Sequence, residues 1–180
     1  CMTLKDFLSQ GVTVKLQDDN SGTDFLDGDF DNGIIAHEYG HGISNRLTGG
    51  PSAAGCLGND EQMGEGWSDY FSLVTSAKEG DTGEMGRGIG TFAQRQPSSG
   101  PGIRRQRYST DMNLNDQVLD DIIGTGAPHP LGEVWAVVNW DLYWALVDEY
   151  GWDPDVKNGT GGNNIAIQLF MDGMKLQSCS

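Results

Sequence analysis

The chain has 180 residues, with 11 Lys and Arg against 26 Asp and Glu and a formal net charge of −15. That balance excludes the basic footprint of a nucleic-acid binder and a polybasic membrane-surface module. With 37% hydrophobic residues plus 27 glycines it also excludes an acidic disordered tail.

In chain order, Val12 to Leu16 alternates and reads as a strand. Asp18 to Asp31 is acidic and glycine-rich, hence loop. Asp27, Asp29 and Asp31 mimic the start of a calcium loop, but Asn32 stands where that loop needs Gly. A different calcium site on these aspartates stays open, beside the simpler reading that Asp31 or Asn32 caps a helix. That helix is predicted from Asn32 to about Leu47, with Ile34, Ile35, Tyr39, Ile43 and Leu47 as its apolar stripe. Gly49-Gly50-Pro51 stops it. A second helix runs from Gln62 to about Ala77, with Trp67, Phe71 and Val74 inward. Glu79 to Asn115 is long and lacks periodicity, which points to functional loops around a cleft. A third helix runs from Leu131 to about Tyr150, with Val134, Val138, Leu142, Ala145 and Glu149 as one line. Its longest apolar run, Val134 to Val138, is far too short to span a bilayer. Gly151 to Gly162 is a turn-rich connector holding the sequon Asn158-Gly159-Thr160. The last helix runs from Asn163 to about Leu176, with Ile167, Phe170, Met171 and Met174 facing inward. The fold class is mainly α with one or two strands. Cys1, Cys56 and Cys179 form no C-x-x-C pair, and their pairing is left open.

His37-Glu38-Tyr39-Gly40-His41 is H-E-x-x-H inside the first predicted helix. Positions i and i+4 share a helix face, so two imidazoles can reach one Zn²⁺. Glu38 lies about 100° round the axis, beside the ion, which suits a general base. The plain alternative is a solvated His/Glu face. Against it, the histidines follow Ile34-Ile35-Ala36, and a buried polar pair without a partner is costly. A catalytic zinc needs a third protein ligand. Glu65 on the second helix is the candidate, because Asp69 at i+4 shares its face and can accept the outer N–H of a ligand histidine. Glu61 is the rival, without a carboxylate at i+4.

His129 sits in Ala127-Pro128-His129-Pro130 before the third helix. Pro130 pushes it out of the α region, onto a stiff corner at the helix N-terminus. Tyr108 is a weaker second donor candidate. Arg104, Arg105 and Arg107 beside it either bind substrate or balance local acidity.

The stretch His37 to Pro51, H-E-Y-G-H-G-I-S-N-R-L-T-G-G-P, resembles the signature of the fungalysin-type metallopeptidases. So does Met63-Gly64-Glu65-Gly66-Trp67-Ser68-Asp69. Pro128 to Trp135 and Met171 to Gln177 are also similar, so the resemblance covers roughly residues 27 to 180. It implies the fold of a thermolysin-like zinc peptidase, with the third ligand in an E-x-x-x-D helix, here Glu65 and Asp69. It implies zinc endopeptidase activity on polypeptide substrates, extracellular secretion, and a precursor with an inhibitory propeptide. It also implies that a histidine in the region of His129 donates to the oxyanion of the tetrahedral intermediate. Such relatives use a β-rich lobe whose edge strand binds extended substrate, and only Val12 to Leu16 supplies a strand here. The expected architecture is therefore a helical lobe with the β-rich lobe largely absent. Residues 1–31 form an irregular or strand remnant of the N-terminal lobe, residues 32–180 the zinc-binding catalytic lobe, and the whole is part of a longer precursor. The alternative function is a non-catalytic acidic binding or adhesion domain with a structural metal. A closed four-ligand site would distinguish it.

Overall fold

The computed structural model describes residues 26–58 and 63–179. The strand expected at Val12 to Leu16, Cys1 and Glu61 lie outside the described residues. Four helices carry the fold: α1 (Asn32–Leu47), α2 (Gly64–Ser76), α3 (His129–Tyr150) and α4 (Gly162–Leu176). Among the described residues there is no strand, only isolated bridges joining Arg87 to Tyr108 and Ile89 to Gly102. The described fold is mainly helical, and no helix in it is long and apolar enough to cross a membrane.

Asp31 starts α1. Its Oδ1 accepts from the N–H groups of Gly33 and Ile34 at 2.9 and 3.3 Å, which satisfies two donors that the first turn leaves unpaired. Its Oδ2 accepts from Ala93 N–H at 3.0 Å, so the carboxylate also ties a distant loop to the helix. This is the simpler of the two sequence readings of the aspartate cluster. After Leu47 the chain turns through Gly49 and Gly50, both at positive φ, where glycine is free of Cβ strain. A Cβ on Gly49 would also stand 2.6 Å from the sulfurs of Cys56 and Cys179. Those two cysteines form a disulfide across a sequence separation of 123. It ties the loop after α1 to the end of α4. In the chain-entropy model a closed loop of that length is worth about 5 kcal/mol.

The apolar stripe expected on α1 is buried only in part: Ile43 and Leu47 pack against the core. Ile35 and Tyr39 remain 43% and 37% exposed, while His37, Gly40 and Ser44 are buried. The reason is close approach: a Cβ on Gly40 would lie 2.7 Å from Ser68 Cα on α2. Small residues let the two backbones meet, and whatever else lies on that face is buried with them. The hydroxyl of Ser72 adds a bond to the carbonyl of Gly33 at 3.1 Å. On its other side α2 meets α3 equally closely, since a Cβ on Gly132 would stand 2.6 Å from Glu65 Cβ. Helix α2 is thus the middle of the bundle, buried from Gly64 to Val74 at all positions but Glu65 and Phe71. Helix α4 packs on α3.

The line expected on α3 holds at its start, where Val134 is fully buried, and is shifted further along the helix. Leu142, Ala145 and Glu149 face out, while Glu133, Val137, Trp140 and Trp144, with Ala136 and Tyr143, face in. Both lines have helical spacing; the larger aromatic area goes to the core. Trp140 and Tyr143 stack at 5.0 Å, and Trp67 of α2 meets Phe170 of α4 edge-on at 5.0 Å. The irregular segment between α2 and α3 contributes Ile89 and Tyr108, 2% and 1% exposed, to this core.

Candidate metal centre

The close packing of α1 on α2 brings the donor atoms of three residues together. His37 Nε2 lies 3.1 Å from His41 Nε2. Glu65 Oε2 is 3.3 Å from His37 Nε2, and Glu65 Oε1 is 3.5 Å from His41 Nε2. A tetrahedron with Zn–N and Zn–O bonds of 2.0–2.1 Å has an edge of about 3.3 Å. The two imidazole nitrogens and the two oxygens of the Glu65 carboxylate are therefore spaced close to the edge of a zinc-sized tetrahedron, and the residues fit that ion. Among the described residues this is the one group of three or more His, Cys, Asp or Glu able to hold a metal ion. The side chain of His41 is 27% exposed, so the cluster opens to solvent there. Glu38, one position on from His37, is partly exposed and outside the cluster.

Asp69 organises the buried side. Its Oδ1 accepts from His37 Nδ1 at 2.7 Å, which directs the Nε2 lone pair of His37 at the cluster. Arg104 reaches the same carboxylate twice, Nε to Oδ2 at 2.5 Å and Nη2 to Oδ1 at 2.9 Å. Nη2 also donates to Glu65 Oε2 at 3.0 Å. The hydroxyl of Tyr108 donates to Asp69 Oδ2. Asp69 is fully buried and Arg104 is 6% exposed.

The titration behaviour follows from these contacts. Burial alone would lower the His37 pKa, but its bonds to Asp69 and Glu65 outweigh that and raise it to about 9 in the metal-free chain. Burial would raise the Glu65 carboxyl, yet the bonds from His37 and His41 hold it well below the usual carboxylate range. Asp69 is likewise held low, against burial, by His37 and Arg104. Burial pushes the Tyr108 phenol up, and the Asp69 charge adds to that, so it stays a donor.

Tyr108, read from sequence as a candidate donor to substrate, is a buried brace of Asp69. Arg104 is a buried partner of two carboxylates. Its neighbour Arg105 points the opposite way: its backbone N–H and Nε donate to the buried carboxylate of Glu133 at 3.0 and 2.6 Å, and its Nη2 donates to the carbonyl of Pro130 at 3.2 Å. Gln117 adds a bond to Glu133 at 3.2 Å. The two arginines thus staple α2, which carries Glu65, to the first turn of α3, which carries His129. Sequence reasoning missed this staple. The available signal was that a buried Asp69 and Glu133 each require a cation, and the Arg104-Arg105 pair lies in an otherwise aperiodic stretch.

His129 is the first residue of α3, and not the extended corner its proline neighbours suggest. Pro128 caps the helix and Pro130 takes its second position, where the missing N–H has no intrahelical role. Its ring is 61% exposed, with Nε2 3.3 Å from Glu65 Oε1. The structure therefore brings His37, His41, Glu65 and His129 together, with Asp69 behind His37 on its Nδ1 side.

Comparison with known proteins gives a consistent picture. The family model for fungalysin metallopeptidases matches residues 16–180. An extracellular metalloproteinase 4 of Trichophyton tonsurans is 42% identical over 170 residues, covering 89% of this chain and 26% of the relative. The protein of the same name from Arthroderma gypseum is 41% identical with the same coverage. That of Trichophyton soudanense is 42% identical over 163 residues, covering 85% of this chain and 41% of the relative. The chain spans about a quarter of the length of the first of these relatives.

Proposed function

Because the chain belongs to the fungalysin metallopeptidase family, we propose that it forms the zinc-binding helical lobe of a secreted endopeptidase that hydrolyses polypeptides. The observation that carries this reading is the set of distances of 3.1, 3.3 and 3.5 Å among His37, His41 and Glu65 donor atoms. Those three residues would hold the ion. The chemistry a bound zinc supplies is Lewis acidity, which polarises a carbonyl and acidifies water. Glu38 takes the proton of the attacking water on its carboxylate and passes it to the leaving amine nitrogen. Asp69 holds His37 in one tautomer, with Nδ1 protonated. The exposed ring of His129 donates an N–H to the developing oxyanion. An inhibitory propeptide in the precursor and export to the extracellular medium belong to the same reading, in keeping with relatives named extracellular metalloproteinases.

The test is metal content and casein hydrolysis on the purified chain, beside Glu38→Gln and His41→Ala. Zinc is expected at one per chain in wild type and Glu38→Gln, and depleted in His41→Ala. Hydrolysis that survives both a chelator and Glu38→Gln refutes the proposal.

A further inference from the structure

We propose that Asn158 is an N-glycosylation site, occupied when this chain enters a eukaryotic secretory pathway. Asn158-Gly159-Thr160 is the only N-x-S/T triplet in the 180 residues, and it takes no part in the metal centre. It lies in the connector between α3 and α4, with Asn158 and Thr160 both exposed.

The connector is built from the inside, so its outward side chains are spare. Asp153 accepts from the N–H of Asp155 at 2.9 Å and of Thr160 at 3.2 Å. Asp155 accepts from the N–H of Lys157 at 3.1 Å and of Asn158 at 3.0 Å. Gly162 N–H closes the base of the loop on the Gly151 carbonyl at 2.7 Å. Gly159, between the two sequon side chains, faces inward: a Cβ there would stand 2.5 Å from Asp153 Cγ. Among the described residues the Asn158 side-chain amide donates to the Asp155 carboxylate, at 3.2 Å to Oδ2 and 3.5 Å to Oδ1. One N–H suffices for that contact, and the other is free to be replaced by a sugar.

The transfer balances simply. A bond forms between Asn158 Nδ2 and the anomeric carbon of an oligosaccharide carried on a lipid diphosphate. The anomeric carbon–oxygen bond breaks, the lipid diphosphate leaves, and one amide proton is released. The glycan stands far from the ligand set. Helix α3 has His129 in its first turn and ends beside this connector, and its 22 residues at 1.5 Å each span about 33 Å. Val156, two residues before Asn158 and 58% exposed, is apolar surface that a bulky polar glycan shields.

This inference rests on the proposed secretion, so the test supplies the export signal itself. The full chain, fused to a heterologous leader, is translated in a cell-free system with microsomes, and the protease-protected product is treated with a peptide N-glycosidase. The expected result is a single upward mobility step in the protected chain. The glycosidase removes it, and it is missing from both Asn158→Gln and Thr160→Ala. A protected wild-type chain without that step overturns the proposal. Zinc content of Asn158→Gln from a bacterial host, expected to equal wild type, separates this result from any failure of the metal-site reading.

Discussion

Replacing Arg104 by Met should destabilise the metal-free chain by about 3–5 kcal/mol, the usual cost of removing one partner from a buried ion pair. The structure explains why the upper range applies. Arg104 makes three charge-assisted bonds at 2.5, 2.9 and 3.0 Å to two carboxylates, and one of those, Asp69, is fully buried. Methionine fills much of the same volume, so the loss is electrostatic. Asp69 then keeps only His37 and Tyr108 as donors. A loss of this size is a large part of the ~5–15 kcal/mol by which domains are stable. Urea unfolding in the presence of a chelator measures it, as a lower midpoint with an unchanged slope. Adding Asp69→Asn to Arg104→Met should cost less than the sum of the two single changes, because residues in one network are coupled by about 0.5–3 kcal/mol. A surface cation that merely balanced acidity would be worth at most about 1 kcal/mol. An Arg104→Met loss below that value, or strict additivity with Asp69→Asn, would refute the buried-staple argument.

Three further outcomes follow from the same contacts. Asp69→Asn should still bind zinc, roughly 10–100-fold more weakly, as read by competition with a chromogenic chelator. His129→Ala should lower kcat by about 10²–10³ with little change in KM and full zinc content, whereas an idle surface histidine would leave turnover at the wild-type level. In the metal-free chain, folding raises the His37 pKa from 6.5 to about 9, so the folded state holds that proton more tightly than the unfolded state. The contribution is complete below pH 6.5 and disappears as pH rises through about 9, with a magnitude on the order of 3 kcal/mol. Thermal midpoints of metal-free protein should therefore fall over that window. Zinc, which displaces the Nε2 proton, should bind more tightly as pH climbs through it. Flat midpoints from pH 6.5 to 9 would show that His37 is not paired as described.

The sequence alone determined what is local. A helix over 32–47 and a second through Glu65 and Asp69 were legible, because 3.6-residue periodicity and caps act within a few positions. The same locality put His37 and His41 on one face, and Glu65 and Asp69 on another. Tertiary structure decided which faces are buried. On α1 Ile35 and Tyr39 lose to His37, Gly40 and Ser44, because Gly40 lets the helix close on Ser68 and large side chains would hold the backbones apart. On α3 two lines had equally good spacing, and only the packing of all the helices into one core selects the one through Trp140 and Trp144. Arg104 and Tyr108 carried no periodic signal at all. They lie 35 and 39 positions from Asp69, and a buried charge finds its partner through space, at a separation no local pattern records. The Cys56–Cys179 bond, across 123 positions, was open for the same reason: pairing depends on where the ends of α1 and α4 meet, and that is set by how all four helices pack.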